Sequence, residues 1–390
     1  NTGFADRVAF FDADDATRTV SGNRTEFLGR NGSLRNPAAM TRSRLSGRIG
    51  AALDPCSAVQ VAFELAPGQE HEVVFTLGVG RGAADAGSLV QRFLSPGAAR
   101  STLEAVWQYW NHTLGAVQVE TPDQSINALT NGWLLYQTIA CRLWARSGYY
   151  QSGGAFGFRD QLQDVMALVY AQPDLVRGHL LRCAAHQFRK GDVQHWWHPP
   201  SGRGVRTHCS DDYLWLPLAA CRYVLSTGDA GVLDETLHFL EGRPVNEEED
   251  SYYDLPGRSD EGASLYQHCV RAILRGLRYG AHGLPLIGSG DWNDGMNLVG
   301  EHGTGESVWL GFFLYDVLMR FAEVARLRGD VPFAERCHRE AAQLRGNIEQ
   351  HGWDGDWYRR AYFDDGSPLG SAGNPECRID SIAQSWSVLS

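Results

Sequence analysis

The sequence has neither a long hydrophobic run nor an excess of positive charge. Its longest apolar stretch, Val308–Tyr315, has about eight residues, whereas a membrane-spanning helix needs roughly 20. There are 35 Lys and Arg against 46 Asp and Glu, which gives a net charge of −11 at pH 7. An acidic balance argues against a general binder of nucleic acid or of anionic membranes. These absences favour a soluble protein whose ligand is neutral or is held by local contacts.

Motifs for metals, nucleotides and activated nucleophiles are also missing. The eight cysteines include no C-x-x-C pair, and the histidines form no H-E-x-x-H frame. The sequence has no G-x-G-x-x-G fingerprint, no Walker pattern and no G-x-S-x-G elbow. We therefore predict free thiols in a reducing compartment, no metal site and no organic cofactor.

Tryptophan, by contrast, is abundant. The chain contains 12 Trp in 390 residues, and several stand beside Asp, Asn or His in glycine-rich segments. Sugars present flat C–H faces and hydroxyl edges, which suit an indole face together with a carboxylate or an amide. The pattern favours a carbohydrate-binding protein, with packing in the hydrophobic core as the alternative for each Trp taken singly.

The first 95 residues are typical of β-structure. Alternating apolar residues predict a hairpin with strands at 59–65 and 73–79, which share one buried face. Further strands are expected at Arg7–Phe11 and Thr25–Leu28. We predict a β domain over 1–95 and a helical linker over 96–120, where 101–111 has helical spacing.

Residues 121–390 have mostly helical periodicity. The first helix opens at Pro122 and Asp123, and its predicted apolar face comprises Ile126, Leu129, Trp133, Tyr136 and Ala140. Further helices are predicted near 160–171, 174–190, 210–226, 230–240, 262–280, 306–328, 331–350 and 379–390. The long connections are 147–158, 191–208, 242–261 and 283–305. Alternating short and long connections favour an α/α toroid whose loops line a cleft, with an irregular helical bundle as the alternative.

The segment Gly288–Asn297 has the strongest chemical signature. It combines the carboxylates Asp291 and Asp294 with two amides, Trp292 and three glycines. Glycine allows sharp turns and close backbone approach, so such a loop can aim a carboxylic acid at a sugar oxygen. Apolar surroundings keep an Asp protonated closer to neutral pH. The spacing fails the EF-hand calcium pattern, and an ordinary Asx-turn loop stays open as the alternative.

Two other clusters offer sugar ligands. Arg159 and Asp160 stand at a predicted helix start, where they suit vicinal hydroxyls or, for Asp160, a helix cap. His195 and Trp197 belong to the run Gln194–Pro199, in which neutral sugar binding fits better than metal binding.

Acidic residues at two predicted helix starts complete the candidates. Asp211 and Asp212 follow Ser210, and they are either sugar ligands or favourable charges in the first turn of the next helix. Glu306 opens another helix and is a second acid, a hydroxyl ligand or a helix-start charge.

Taken in order, these segments resemble glycoside hydrolase family 94, which contains cellobiose and chitobiose phosphorylases and the C-terminal domain of cyclic β-1,2-glucan synthases. The resemblance covers almost the whole chain, through Asn23–Asn31, Gly157–Asp164, Gln194–Pro199, Ser210–Asp212, Asp291–Gly295, Gly305–Trp309 and Ile379–Leu389. The residues of the second and third of these segments are similar to those of the β-1,2-glucan branch of the family. The resemblance to the family implies a partial β-sandwich over 1–95, linker helices, and an (α/α)6 barrel over 121–390 that is incomplete at its C-terminal end.

The resemblance also implies inverting phosphorolysis of a β-glucoside. The Asp that matches Asp294 protonates the glycosidic oxygen, and inorganic phosphate attacks the anomeric carbon from the opposite face to give α-glucose 1-phosphate. Arg159 and Asp160 match residues that hold the sugar at the cleaved end, and Trp292 matches a neighbouring sugar contact. The full set of predicted substrate-binding residues is Arg159, Asp160, Trp292, Asn293, His195, Trp197, Asp212 and Glu306.

Two departures from the family pattern bear on the substrate. Gly154 stands where relatives have an Arg six residues before the Asp that matches Asp160. The phosphate-binding segment of the family, with its Thr-His, is expected beyond Ser390.

The predicted activity is that of a hexosyltransferase-type glycoside phosphorylase acting on β-linked glucan, in the first instance β-1,2-glucan, as part of a cyclic β-1,2-glucan synthase. A stand-alone β-glucooligosaccharide phosphorylase, an inverting hydrolase and a non-catalytic sugar-binding domain are the alternatives. The predicted partners are glucan, phosphate, the remainder of a longer chain and a second copy in a homodimer, without nucleic acid. The predicted location is the cytoplasm or the cytoplasmic side of a membrane-anchored longer protein.

Overall fold

The computed structural model describes residues 4–144 and 153–390, so the predicted loop 147–158 lies partly outside the described residues. The chain divides into two compact units, Asn1–His112 and Thr113–Ser390. The first unit contains paired strands, and the second is mostly helical. This order of a β region before a helical region is the one that the sequence predicts.

The first unit contains two antiparallel strand pairs. Strand β1 (Arg7–Ala13) pairs with β4 (Phe75–Arg81), and β2 (Thr19–Asn23) pairs with β3 (Pro55–Gln60). Its helices are α1 (Arg24–Leu28), α2 (Gly82–Phe93) and α3 (Pro96–Leu114), and a 3₁₀ turn spans Ala38–Thr41. The predicted strand at 7–11 and the predicted helix at 101–111 are confirmed.

The predicted hairpin of 59–65 with 73–79 is wrong. Strands β3 and β4 form, but each pairs with an earlier strand and not with the other. The alternating residues of β4 are also exposed within this chain, and Leu77 is 78% exposed. Alternation identified a strand but did not specify its partner, because the same period suits any neighbouring strand.

The predicted strand at Thr25–Leu28 is also wrong, because this segment is helix α1. Asn23 caps the helix, and its side-chain oxygen accepts a hydrogen bond of 3.0 Å from the Thr25 amide. Capping by Asn outweighs the strand preference of two residues in a five-residue segment.

The second unit contains all but one of the helices that the periodicity predicts, with shifted ends. They are α4 (Gln124–Ala128), α5 (Leu134–Gln137), α6 (Phe158–Met166), α7 (Pro173–Ala184), α8 (Trp215–Thr227), α9 (Leu265–Gly276), α10 (Val308–Leu327), α11 (Val331–Asn347) and α12 (Ser381–Leu389). Further helical turns span Leu129–Trp133, Thr138–Trp144, Asp212–Leu214, Ala230–Asp234 and Ile348–Gly352. The core centres on α10, which packs against α8, α11 and α12 and buries Trp309 and Phe313.

The apolar face predicted for the first helix of this unit is wrong. Ile126, Leu129, Trp133 and Tyr136 are exposed, and the buried residues are Leu135, Ile139 and Leu143. The helix is broken at Asn131–Gly132, where the Asn131 amide exchanges hydrogen bonds of 2.7 and 2.8 Å with the Val119 backbone. This break rotates the following turns and brings a different set of residues to the core.

The helix predicted at 230–240 forms only one 3₁₀ turn. The segment after it is strand β8 (Thr236–Glu241), which pairs with β10 (Gly257–Ser264). β-Branched and aromatic residues suit the strand, and pairing with the polar segment 257–264 overrides the local helical spacing.

Two small sheets lie in the connections between helices. One contains β5 (Phe156–Gly157), β6 (Gln194–His198), β7 (Arg203–Thr207) and β9 (Ser251–Asp254), in that order. The other contains β11 (Glu306–Ser307), β12 (Ala361–Tyr362) and β13 (Pro368–Leu369). Each sheet ends next to a helix start, α6 for β5 and α10 for β11. In the part of the chain that the structure describes, no helix has the length and apolar character required to cross a bilayer.

Candidate active site

The acid loop, Gly288–Asn297, is held against the segment that precedes α8. Gly288 has φ of 62°, and a Cβ there would lie 2.1 Å from the His208 carbonyl oxygen. The Ser210 amide donates to the Gly290 carbonyl oxygen at 3.0 Å, and the Ser210 hydroxyl donates to the same oxygen at 3.2 Å. Only glycine fits at 288, so the sequence signature of this loop has a steric cause.

The two carboxylates of the acid loop have opposite environments. Asp291 is fully buried, whereas the side chain of Asp294 is 71% exposed. Asp291 accepts hydrogen bonds from neighbouring side chains and from the Asn293 amide at 3.2 Å. The loop therefore has a buried end, which is fixed, and an exposed end, which is accessible to a ligand.

Arg159, in the first turn of α6, reaches both ends of the loop. Its Nη2 lies 2.6 Å from Asp294 Oδ1, and its Nη1 donates to the Asp291 carbonyl oxygen at 2.8 Å. Nη1 also donates to Asp211 Oδ1 at 3.2 Å. Burial disfavours the charge of this 7% exposed side chain, but the surrounding carboxylates outweigh that effect and raise the pKa of Arg159. A permanent positive charge thus holds Asp294 in place.

Asp211 is in contact with Arg159 and is fully buried. Its second oxygen accepts from Trp215 Nε1 at 3.0 Å. Burial, and then the neighbouring Asp212, raise the pKa of Asp211 to about 7, against the pull of Arg159. The sequence indicated Asp211 as a sugar ligand or a helix-start charge but not as a partner of Arg159, because its approach to a residue 52 positions away has no local signal.

His195 forms an ion pair with Asp212. Its Nδ1 donates to Asp212 Oδ2 at 2.7 Å, and Asp212 is buried. The Asp212 charge raises the pKa of His195 to about 9, against the effect of burial, and Asp294 adds to the rise. The structure therefore brings the predicted residues His195, Asp212, Arg159 and Asp294 into one charged cluster.

The same cluster has the geometry of a weak metal site. His195, Cys209 and Asp212 place one ligand atom each within 4.8 Å of one another. However, burial raises the pKa of the Cys209 thiol, and the Arg159 guanidinium lies 4.0 Å from the Asp212 carboxylate. A neutral thiol and a neighbouring guanidinium favour a hydrogen-bonded cluster over a bound cation.

Three more predicted sugar ligands are next to residues of this cluster in the sequence and differ in exposure: Trp292, Asn293 and Asp160. Trp292 is 41% exposed, and its indole N–H donates to Gln163 Oε1 at 3.3 Å. Asp160 is exposed beside Arg159, whereas the Asn293 side chain accepts from Arg360 Nη2 at 3.1 Å. Trp292 and Asp160 are therefore accessible to a sugar, and Asn293 helps to fix the loop.

For two predicted sugar ligands the structure shows a different role. Trp197 is buried and stacks on His186, with ring centroids 3.8 Å apart, because it faces the core side of β6. Glu306 is buried, and its carboxylate accepts from the His282 and Leu284 amides at 3.0 Å and from His282 Nδ1 at 2.5 Å. We correct both predictions: Trp197 is a core residue, and Glu306 ties β11 to the segment 282–284.

Sequence reasoning missed Arg360, which precedes β12. Its guanidinium is almost fully buried and forms a two-bond ion pair with Asp291, at 2.5 and 2.7 Å. The residue follows another arginine in a segment without a recognisable motif, so no sequence signal distinguishes it.

Comparison with known proteins identifies the family of this chain. Residues 109–390 match the glycosyl hydrolase 94 superfamily catalytic domain, and residues 1–96 match the glycosyl hydrolase 94 supersandwich domain. The chain belongs to the glycosyl hydrolase 94 superfamily.

The similar proteins include a glucan synthase and several phosphorylases. The chain is 47% identical over 390 residues to the cyclic beta-(1,2)-glucan synthase NdvB of Rhizobium meliloti (strain 1021). The match covers 98% of this chain and 14% of that protein. It is 27% identical to the N,N'-diacetylchitobiose phosphorylase of Vibrio proteolyticus, over 100% of this chain and 49% of that protein. It is 30% identical to the solabiose phosphorylase of Paenibacillus borealis, over 93% of this chain and 44% of that protein.

The chain thus spans about half the length of these phosphorylases and a small part of the synthase. Among solved structures, a family 78 rhamnosidase of Bacillus sp. GL1 matches with a TM-score of 0.44 and 14% identity, over 64% of this chain and 23% of that one.

Proposed function

We propose that this chain is the catalytic region of an inverting glycoside phosphorylase that acts on β-linked glucan, with β-1,2-glucan as the substrate. The proposal depends mainly on one observation, the exposed Asp294 carboxyl that Arg159 holds at 2.6 Å within a family 94 catalytic domain. The 47% identity to a cyclic beta-(1,2)-glucan synthase supports the choice of linkage and a role within such a synthase. An (α/α)6 barrel is the fold that we propose for the helical unit.

The proposed reaction needs one acid from the protein. Asp294 gives its proton to the glycosidic oxygen as the bond from that oxygen to the anomeric carbon breaks. A phosphate oxygen forms the new bond from the opposite face, which yields α-glucose 1-phosphate and a shortened glucan. Arg159 binds Oδ1 of Asp294, and among the described residues no group hydrogen-bonds Oδ2, so Oδ2 is the oxygen that we assign to carry the proton.

The environment of Glu306 argues against an inverting hydrolase. Such an enzyme needs a second carboxylate as a base, about 6.5–9.5 Å from the acid, to activate water. Glu306, the candidate nearest in sequence, has both oxygens engaged by His282 and by backbone amides. A phosphorylase has no need of that base, because phosphate is itself the nucleophile.

The test is an assay of the full-length gene product on β-1,2-glucooligosaccharides, with and without inorganic phosphate. We expect glucose 1-phosphate that depends on phosphate and is absent from the Asp294→Asn variant. Release of free glucose without phosphate would instead identify a hydrolase. Absence of both products, with a panel of β-linked disaccharides also inert, would leave a sugar-binding domain as the better description.

A further inference from the structure

We propose that Arg360 is a positioning residue, which fixes the buried end of the acid loop so that Asp294 is held at the glycosidic oxygen. The proposal rests on the function proposed above. Arg360 precedes β12 and is 69 positions from its main partner, Asp291. It belongs to a different segment from Arg159, so the loop is held from two sides.

Most contacts of Arg360 are with the acid loop, and outside it the Nε atom lies 3.6 Å from Oδ2 of Asp380, just before α12. Nη2 and Nη1 donate to Asp291 Oδ1 and Oδ2 at 2.5 and 2.7 Å. Nη2 also donates to Asn293 Oδ1 at 3.1 Å, one residue before Asp294. The Ser307 hydroxyl donates to Asp291 Oδ2 at 2.7 Å and accepts from Arg360 Nη1 at 3.2 Å. One guanidinium thus fixes two of the three residues that precede Asp294.

Burial makes this arrangement specific to arginine. The side chains of Arg360 and Asp291 are 1% and 0% exposed, so water does not replace a lost contact. A planar guanidinium matches both oxygens of a carboxylate at once, whereas an ammonium group cannot. A lysine at 360 retains the charge but cannot hold Asp291 and Asn293 together.

The backbone of Arg360 is fixed as well. Its amide donates to the Leu369 carbonyl oxygen at 2.8 Å, and its carbonyl oxygen accepts from the Val308 amide at 3.1 Å. These bonds join it to β13 and to the first residue of α10. A rigid base for the side chain is what a positioning role requires, since small displacements of a catalytic group reduce turnover strongly.

The adjacent Arg359 offers a matched control. It pairs with Asp354 at 2.5 Å and donates to the His351 and Trp353 carbonyl oxygens at 2.8 and 3.0 Å. It is therefore a bonded, partly buried arginine in the same segment, with 22% of its side chain exposed. None of these contacts involves the acid loop.

The experiment compares Arg360→Lys with Arg359→Lys in the full-length gene product. We expect kcat for phosphorolysis to fall about ten- to hundredfold in Arg360→Lys, with KM for the glucan nearly unchanged. We expect Arg359→Lys to retain most of the kcat. Equal losses of kcat in the two variants, or a loss in Arg360→Lys that appears only in KM, would overturn the proposal.

Hydrogen exchange of the amides in the acid loop provides a measurement that does not depend on activity. We expect Arg360→Lys to accelerate exchange at 291–295 and Arg359→Lys to leave it unchanged. Unchanged exchange in both variants would refute the positioning role. If the wild-type protein lacks phosphorolysis, the proposed function fails, and the exchange comparison still decides whether Arg360 holds this loop.

Should Arg360→Lys fail to fold, Ser307→Ala takes its place. This substitution removes the hydrogen bond to Asp291, the one from Arg360 Nη1 and the one that caps α10 at Leu310, and it leaves both charges in position. We expect a smaller acceleration of exchange at the same amides, and no change there would count against the proposal.

Discussion

The two carboxylates of the acid loop lie three positions apart and have opposite environments. Asp291 is buried and forms an ion pair with Arg360, whereas Asp294, three residues later, is 71% exposed and is held through one oxygen by Arg159. The sequence contains the same residue type at both positions. Burial and partners therefore distinguish a structural Asp from the Asp that we propose as the general acid.

The difference also explains why the loop needs a fixed end. A general acid is effective when its carboxyl group is held at the atom that it protonates, yet it must remain accessible to substrate. Asp291 anchors the loop that carries the proposed acid, and Asp294 remains exposed. Arg159 connects the two, because it bonds the Asp291 carbonyl oxygen and the Asp294 carboxylate.

The largest expected effect is that of Asp294→Asn. The amide cannot donate an acidic proton, so we expect turnover to fall by about 10²–10⁴ with folding and sugar binding intact. Phosphorolysis assays and calorimetric sugar binding measure the two parts. Asp365→Asn, at an exposed turn, is the control. Residual activity above roughly a tenth of wild type would contradict the assignment.

Asp291→Asn should affect stability more than any other substitution in the loop. It leaves the Arg360 charge buried without its partner, so we expect the free energy of unfolding to fall by about 3–5 kcal/mol. Urea denaturation measures this loss. Asp294→Asn should cost less than about 1 kcal/mol in the same assay, since that side chain is exposed. Similar losses for the two variants would abolish the distinction between a structural and a chemical Asp.

His195→Gln tests how the buried charges respond to pH. The pKa of His195 is raised to about 9 in the folded protein, from 6.5, so its pairing with Asp212 stabilises the fold fully below pH 6.5. That contribution is lost as pH rises towards 9, and we expect the wild type to lose roughly 2–3 kcal/mol across this window. The variant should show a flatter pH dependence of its unfolding free energy. An identical dependence in both proteins would show that His195 is not charged in the fold.

Arg159→Lys should have the smallest effect of the four. Lysine keeps the positive charge but cannot reach Asp294, Asp211 and the Asp291 carbonyl oxygen together, so we expect kcat/KM to fall roughly tenfold. Steady-state kinetics measure this change. Unchanged kcat and KM would indicate that Arg159 is only a helix-start residue.

The sequence predicts the elements of this site better than their contacts. The composition of Gly288–Asn297 identified the acid loop, since glycines and carboxylates are local features. The pair of Arg159 with Asp294 was not predicted as a contact, because the two residues are 135 positions apart. The same reason applies to Arg360 and Asp291.

The incorrect predictions also have physical causes. Trp197 and Glu306 belong to residue types that suit sugar binding, but strand alternation and backbone amides direct them to the interior. The alternating apolar residues of β4 predicted a strand but not which strand it pairs with. In the first helical region of the second unit, a two-residue break at Asn131–Gly132 interrupts the helix that the predicted apolar face requires, and no periodicity contains that information.

The sequence separations of these contacts have a consequence for folding. The bonds from Arg159 to Asp211, from Arg360 to Asp291 and from Arg159 to Asp294 join residues 52, 69 and 135 positions apart. Contacts that close long loops cost more chain entropy and form slowly, whereas helical turns form locally and fast. We therefore expect the helices to form first and the acid loop to become ordered among the last parts of the chain. A nascent chain released before residue 360 would contain Asp294 but lack the guanidinium that fixes Asp291.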